Sequence, residues 1–440
     1  MKTIDILLAF PIPSFESPNI MTPLSILFPG ALFEKQGKKV ACFDERFDSQ
    51  EMLVDLIKHS KEIGVSAFTG YQSKHAAMIL EKAKKINPKI VTGVGGVHAR
   101  ILSEQVLAEP FVDKVWTKRV YGEDLFPYNK RTRIHFERCD MQYFTSRGCP
   151  FNCSFCTLCS PWEPKDIKEI DRELKIIHND IGFKTVNFSD PNIACGSATI
   201  NRIERVTQLG TIMKDLDVNW ISNMRASYFT PKMVDVLVES KCKAIEIGCE
   251  SGSDYFLKNV IRKGYGVDII KRAAKNIRDS GISIMYSFMT NMPRETKKMQ
   301  METFDLVDWI VETDSNARVS IYNYAPYPGT KMYEDAVNGI DEYPKFNPPT
   351  TMEEWANLVG MKSPLYWIVG LCFRKDNTRK NFPGNDWKLI ESYIELAEKK
   401  WKERDIKDFP CKEVEELINK QFKKREKINA KENSSLYNDL

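Results

Sequence analysis

A chain of 440 residues is long enough for two or three domains that each bury their own core. Apolar residues make up 42% and charged residues 28% of the sequence, a balance typical of globular rather than disordered or membrane proteins. The 64 basic and 60 acidic residues are mixed along the chain and leave a net charge of only +4, so neither a nucleic acid nor an anionic membrane is indicated as a partner.

The first residues give no sign of export or membrane insertion. Residues 1–15 hold one lysine and a short apolar run broken by two prolines, with no cleavage site and no stretch near the ~20 apolar residues that span a bilayer. We therefore expect a cytoplasmic protein without a membrane span. In a reducing compartment, its 11 cysteines are more often metal ligands or small buried side chains than disulfides.

Residues 1–125 alternate β-rich runs with amphipathic helical patterns, which is typical of a parallel sheet covered by helices. The predicted strands are 3–10, 39–44, 63–69, 90–95 and 114–116. This pattern predicts an α/β domain of the doubly wound, Rossmann-like class. Ligands of such domains bind at the carboxyl ends of the strands.

A polar, basic and poorly periodic connector at 126–140 leads to a second alternating series at 141–340. Its predicted strands are 141–146, 185–189, 218–223, 244–248, 283–289 and 318–324. Six strand and helix units predict a partial (β/α)6 barrel of the TIM-like class, with its chemistry at the strand carboxyl ends. Residues 341–440 are predicted to form a helical C-terminal region.

Four of the cysteines lie within one eleven-residue loop, directly after the first predicted barrel strand: Cys149, Cys153, Cys156 and Cys159. The first three, at spacings of four and three, leave one iron of a cubane cluster without a protein ligand. The alternative is zinc with Cys159 as a fourth thiolate, although structural zinc sites more often use two separated cysteine pairs.

The sequence CPFNCSFC, with Phe155 before its third cysteine, resembles the CxxxCx(aromatic)C signature of the radical S-adenosylmethionine superfamily. The resemblance implies a 4Fe-4S cluster held by Cys149, Cys153 and Cys156, with Phe155 beside it. It also implies that S-adenosylmethionine chelates the fourth iron and yields a 5′-deoxyadenosyl radical on reduction. Cys159 is then a bystander near the cluster.

The resemblance extends over residues 139–340 and implies cofactor contacts from five residues at strand ends: Asp190, Asn223, Arg225, Glu250 and Ser251. Asp190 lies in a turn similar to the acidic turn that receives the amino group of the cofactor. Arg225 carries a guanidinium able to clamp a carboxylate. The alternative for Asp190 is an ordinary Asp-Pro-Asn turn. The alternatives are a surface ion pair for Arg225 and a Gly-rich strand end for Glu250 and Ser251.

The N-terminal domain looks like the cobalamin-binding domain of the cobalamin-dependent branch of that superfamily. In that family an SxL motif is followed, after 26 to 28 residues, by a GG pair. This chain is similar, because Ser66-Ala-Phe68 is followed after 26 residues by Gly95-Gly96. The cobalamin contacts that the resemblance implies are Ser66, Thr69, Gly70, Gly95, Gly96 and His98. The family's DxHxxG motif is replaced by residues 19–24, which lack the cobalt-binding histidine. The alternatives are a degenerate domain that binds nothing and, for His98, an ordinary loop position.

Together these resemblances imply a cobalamin-dependent radical enzyme that methylates an unactivated carbon of a small-molecule or peptide substrate. The chemistry implies a low-potential electron donor, such as a ferredoxin or flavodoxin. A non-methylating radical reaction (cyclisation, rearrangement or oxidation), with or without cobalamin, is the first alternative, and a non-enzymatic sensor is another. A methylthiotransferase is excluded because it needs cluster cysteines in the N-terminal domain, where only Cys42 occurs.

Overall fold

The computed structural model describes residues 3–13, 21–118, 120, 125–290, 292–314, 317–324, 327–340 and 348–359. These residues form two parallel sheets with covering helices and one antiparallel hairpin. The predicted helical region at 341–440 lies outside the described residues except for 348–359. None of the helices in these ranges is both long enough and apolar enough to cross a membrane.

The N-terminal sheet has five parallel strands, β1 (Ile6–Phe10), β2 (Val40–Asp44), β3 (Glu62–Ser66), β4 (Val91–Gly95) and β5 (Lys114–Val115). Their spatial order is β2-β1-β3-β4-β5, which confirms the doubly wound fold. Its helices are α1 (Leu24–Lys35), α2 (Gln50–His59), α3 (Tyr71–Ile86), α4 (Gly96–Ile101) and α5 (Ser103–Leu107). Alternate residues of β1 enter different cores, because successive side chains of a strand point to opposite faces.

The second sheet confirms the partial barrel, since its six strands lie side by side in chain order and every pair is parallel. The strands of this sheet are β6 (Met141–Tyr143), β9 (Thr185–Phe188), β10 (Asn219–Asn223), β11 (Cys242–Glu250), β12 (Ser283–Thr290) and β13 (Ala317–Asn323). Between β6 and β9 the chain forms the hairpin strands β7 (Ser146–Cys149) and β8 (Ser160–Pro164). The helices are α6 (Arg133–Glu137), α7 (Ile167–Ile181), α8 (Arg202–Asp215), α9 (Pro231–Glu239), α10 (Val267–Ile277), α11 (Lys297–Thr313) and α12 (Lys331–Asn338). A 3-10 turn spans Ala226–Tyr228 and a π-helical turn spans Phe256–Val260.

The first barrel strand is shorter than predicted. It ends at Tyr143 rather than at residue 146, and Ser146 instead begins the antiparallel pair β7 and β8. The change of direction coincides with the hydrogen bonds of Thr145 and Ser146 to Asp190, and Gly148, with a φ of +75°, follows within β7. The cysteine-rich loop, residues 149–159, is therefore framed by a hairpin and does not simply follow a barrel strand.

The last described helix, α13 (Met352–Val359), returns to the N-terminal sheet and packs on α3. Trp355 is 0% exposed, and its indole N–H donates to Gln105 Oε1 at 2.8 Å. The backbone carbonyl of Met352 accepts from the Ser73 hydroxyl at 2.9 Å. This helix is therefore part of the core of the first sheet, although it follows the barrel in sequence.

We expect Trp355→Ala to lower the free energy of unfolding by about 3–5 kcal/mol, because it leaves a large cavity and removes the donor to Gln105 Oε1. The measurement is urea denaturation followed by circular dichroism. Leu107→Ala is the matched control, since Leu107 lies on α5 but is 52% exposed, and its effect should stay below about 1 kcal/mol. Equal losses for the two variants would contradict the docking of α13.

Candidate functional site

The cysteine loop is fastened to the barrel by Ser154. The Ser154 amide donates to the carbonyl of Ile261 at 3.0 Å, and its hydroxyl donates to the carbonyl of Val260 at 2.8 Å. Its own carbonyl accepts from the amide of Met332 at 3.0 Å. The tip of the loop is thus bound to the segment after the π-helical turn and to the start of α12.

The four thiols of this loop are all partly exposed and none is in a disulfide. Cys156 Sγ accepts the amide N–H of Leu158 at 3.4 Å, a bond that suits a thiolate ligand. Burial raises the pKa of Cys156 to about 12 and also raises that of Cys153, so a bound cation is what would ionise them. The Cys159 thiol instead points back at the carbonyls of Cys153 and Cys156, at 3.8 and 3.5 Å.

Within the described ranges, no three His, Cys, Asp or Glu side chains converge closely enough to hold a single metal ion. A zinc ion needs such convergence, because all of its ligands bind one atom. The ligands of a cubane cluster bind different irons and need not meet at one point.

Asp190 lies in the turn after β9 and is 0% exposed. One carboxylate oxygen accepts the Thr145 amide at 2.8 Å, and the other accepts the hydroxyls of Thr145 at 2.7 Å and Ser146 at 2.5 Å. Burial raises the pKa of Asp190, and the hydrogen bonds from Ser146 and Thr145 oppose that shift. The sequence expectation was an acidic turn that receives an ammonium group. The structure shows instead a buried carboxylate that fixes the residues leading into the cysteine loop.

We expect Asp190→Asn to lower the free energy of unfolding by about 2 kcal/mol, because an amide cannot accept all three of these hydrogen bonds. Chemical denaturation measures the loss, and iron analysis shows whether the cysteine loop still holds its cofactor. Asp235→Asn makes the same change on the exposed face of α9 and should be neutral. A stable Asp190→Asn variant would show that these contacts do not anchor the loop.

Arg225 follows β10 and lies directly against the cysteine loop. Its guanidinium is 3.6 Å from the ring centre of Phe151 and 4.9 Å from that of Tyr265, and it donates one hydrogen bond to the carbonyl of Lys263. Its Nε is buried and has no hydrogen-bond partner among the described residues. A buried donor without a partner is costly, so this N–H suits an acceptor group of a bound ligand.

Glu250, at the end of β11, forms a buried ion pair with Lys263, a residue that sequence reasoning missed. Glu250 Oε1 lies 2.6 Å from Lys263 Nζ, and the two side chains are 9% and 7% exposed. Burial lowers the pKa of Lys263, but the Glu250 carboxylate outweighs it and holds the pKa above its ordinary value. The hydrophobic periodicity of the sequence could not identify Lys263, because this residue follows a π-helical turn that has no sequence signature.

The remaining two predicted residues of the barrel make contacts inside the protein. The Asn223 amide donates to the carbonyl of Asp190 at 3.3 Å. Ser251 is 0% exposed, and its hydroxyl lies 3.3 Å from that of Thr303 on α11 and accepts the Ser253 amide at 3.2 Å. Ser251 is thus enclosed within the protein, whereas Asn223 is only partly buried.

A cavity of about 710 Å³ separates the carboxyl edge of the N-terminal sheet from the hairpin that frames the cysteine loop. Ser66, Gly95 and Gly96 line its sheet side, and Gly148 and Leu158 line the opposite side. Three of the predicted cobalamin contacts thus face the residues that flank the cysteines across one open space.

Most of the cavity wall is apolar, but its charges are all of one sign. The cationic residues that line it are Arg46, Arg100, Lys118 and Arg147, and no carboxylate appears among its described lining residues. Arg46 is paired with the buried carboxylate of Asp44 at 2.6 Å, which balances its charge. Arg147 also stacks on Phe144, with the guanidinium 4.7 Å from the ring centre. Such a cavity suits a large, mostly apolar ligand that carries an anionic group, such as a phosphate.

Glycines make room on the sheet side of the cavity. Gly96 has a φ of +92°, and a Cβ there would lie 2.9 Å from the backbone nitrogen of Ala67, so no side chain fits. At Gly95 a Cβ would meet nothing closer than 3.9 Å, so this glycine leaves open space. The indole of Trp116 covers Gly64 and forms part of the wall.

The structure places the other three predicted cobalamin residues away from this cavity, since Thr69, Gly70 and His98 are not among its lining residues. His98 is 0% exposed, and its Nδ1 lies 3.0 Å from the Thr69 hydroxyl. Its ring meets Trp355 edge-on at 6.3 Å. Burial lowers the pKa of His98 to about 4, so it is a neutral core histidine rather than a loop residue.

Comparison with known proteins agrees with this arrangement. Residues 143–307 match the family model described as the radical SAM superfamily. An uncharacterized methyltransferase of Pyrococcus horikoshii is 30% identical over 44% of this chain and 41% of its own length. The anaerobic magnesium-protoporphyrin IX monomethyl ester cyclase of Rubrivivax gelatinosus is 23% identical over 65% of this chain and 60% of its own length. The chain therefore spans less than two thirds of either relative.

Among solved structures, the chain is similar to TsrM from Kitasatospora setae, a radical S-adenosylmethionine methyltransferase solved with cobalamin and a [4Fe-4S] cluster bound. The two share a TM-score of 0.61 at 14% identity, over 77% of this chain and 78% of TsrM. The match spans more than the barrel, so the N-terminal sheet and the barrel belong to one known fold.

Proposed function

We propose that this chain, whose residues 143–307 match the radical SAM superfamily, is a cobalamin-dependent enzyme that transfers a methyl group to an unactivated carbon of a small-molecule or peptide substrate. The observation that carries the proposal is the cavity between the N-terminal sheet and the cysteine loop. It is large, mostly apolar and cationic, and it adjoins residues that flank the three cysteines, so its ligand would lie beside the radical chemistry.

The residues present fit the three cofactors. Cys149, Cys153 and Cys156 would hold the cluster on a loop fixed at its start and at its tip. The unpartnered Nε of Arg225 would bind the carboxylate of S-adenosylmethionine. The open space at Gly95 would admit the corrin.

When bound, the cluster and S-adenosylmethionine supply a carbon-centred radical, and cobalamin supplies the methyl group. The chain contributes orientation and charge. Asp190 positions the strand end before the cysteines, and the buried Glu250–Lys263 pair sets the charge next to them. We assign cobalamin binding to 1–125, the connection to 126–140 and the radical chemistry to 141–340.

A second candidate keeps the cofactors but ends in cyclisation, rearrangement or oxidation. The similarity to a monomethyl ester cyclase favours it, because that relative aligns over a larger share of this chain than the methyltransferase does. Product mass separates the two candidates, since methylation adds one methylene unit and cyclisation or oxidation does not.

The experiment is anaerobic reconstitution with iron, sulfide and hydroxocobalamin, followed by iron and cobalt analysis of the desalted protein. The proposal expects about four irons and about one cobalt per chain. Four irons without cobalt would leave a cobalamin-free radical enzyme, and zinc in place of iron would contradict the radical chemistry. A flavodoxin or ferredoxin with a chemical reductant should then support cleavage of S-adenosylmethionine.

A further inference from the structure

The ammonium of Lys263 lies against the cysteine loop. Its Nζ is 6.0 Å from the ring centre of Phe155, the residue just before Cys156. The backbone carbonyl of Lys263 holds the Arg225 guanidinium, which stacks on Phe151 in the same loop. Two cationic side chains therefore lie close to the loop that would hold the cluster.

The Glu250–Lys263 pair presents its ammonium to the cysteine loop, since Lys263 Nζ lies over the ring of Phe155 in that loop. With Arg225 included, two cations and one carboxylate act on the cysteine loop, so the net local charge is positive.

The buried Glu250–Lys263 pair lowers the stability of the folded protein relative to an apolar pair. A buried ion pair is seldom more stable than apolar residues of the same size. Glu250 also has a φ of +70°, a conformation that non-glycine residues rarely adopt and that costs about 1–3 kcal/mol. The pair fills the space beside Gly248, since a Cβ there would contact Glu250 Oε1 and Lys263 Nζ. A buried cation beside a functional loop, held by a strained carboxylate residue, points to a role in the chemistry.

We propose that Lys263 makes the iron–sulfur cluster easier to reduce, an inference that rests on the proposed cluster at Cys149, Cys153 and Cys156. The step is a one-electron transfer in which the donor, a low-potential protein or Ti(III) citrate, loses one electron and the cluster gains it. No bond forms or breaks and no proton moves. A positive charge in a poorly solvated position stabilises the added electron more than the same charge in water would.

The test is a redox titration of the reconstituted enzyme without S-adenosylmethionine, with the reduced cluster measured by electron paramagnetic resonance. Lys263→Met should lower the ratio of reduced to oxidised cluster about tenfold at a fixed solution potential, which is a 59 mV shift for a one-electron couple. Lys263→Arg keeps the charge and should stay near the parent value. Lys232→Met removes an exposed lysine of α9 and should change nothing.

Glu250→Gln supplies a second test with the opposite sign. It keeps Lys263 but removes the opposing carboxylate, so it should raise the reduced fraction. If Lys263→Met loses its iron, this variant still decides the matter, since an unchanged or lower reduced fraction would overturn the inference. A parent protein that binds no iron would instead refute the proposed function.

Discussion

Cys153→Ala is expected to lose the iron–sulfur cluster, and with it the cleavage of S-adenosylmethionine, a fall of about 1,000-fold or more. Cys153 lies in the middle of the loop that Ser154 fastens to the barrel, so no neighbouring thiol can take its place without releasing that anchor. Iron per chain and 5′-deoxyadenosine formation under dithionite are the two measurements. Cys149→Ala and Cys156→Ala should behave in the same way.

Cys159→Ala is the matched control, because its thiol belongs to the same loop but points at the carbonyls of Cys153 and Cys156. It should keep about four irons and most of the activity. If Cys159→Ala loses the metal as completely as Cys153→Ala, four thiolates hold it. A cluster with four cysteine ligands would have no open iron for S-adenosylmethionine, which would contradict the proposed radical chemistry.

Gly95→Phe is expected to weaken cobalamin binding by about 100-fold or more, equivalent to about 2.8 kcal/mol, while the iron content stays unchanged. Gly95 has no positive φ, and a Cβ there would meet nothing closer than 3.9 Å, so the backbone tolerates a side chain. The added ring would project into the cavity that Gly95 lines. The substitution therefore fills the proposed binding space without unfolding the sheet.

Cobalamin affinity is measured from the change in its visible absorption, and folding from circular dichroism. Val91→Phe adds a ring at the other end of β4, where Val91 is 40% exposed, and should bind cobalamin normally. Unchanged affinity in a folded Gly95→Phe protein would place the ligand outside this cavity. Equal loss in both variants would mean that the sheet itself had been disturbed.

Much of the fold was accessible from the sequence because parallel sheets repeat a simple pattern. The buried strands are continuous apolar runs, and the helices between them are amphipathic, so both sheets could be predicted within a few residues. The end of β6 was wrong because the course of the chain there depends on the contacts of Thr145 and Ser146 with Asp190. Those partners are about 45 residues apart in sequence, and local patterns carry no information about them.

The residues of the candidate site also differ in whether local sequence could identify them. Cysteine spacing is local, so the loop could be recognised without a structure. The orientation of Asp190, the burial of His98 beneath Trp355 and the pairing of Glu250 with Lys263 all depend on tertiary contacts. A sequence motif identifies which residues are near a site, but not which of them face the ligand.

The return of α13 to the first sheet has a mechanical consequence. The chain passes from the N-terminal sheet to the barrel once, and then comes back to pack Trp355 behind α5. A domain joined to its neighbour by one segment of chain can rotate about that segment, whereas a second contact elsewhere opposes the rotation. The N-terminal sheet is therefore held to the rest of the described chain both by the residues that lead into β6 and by the packing of α13 on α3.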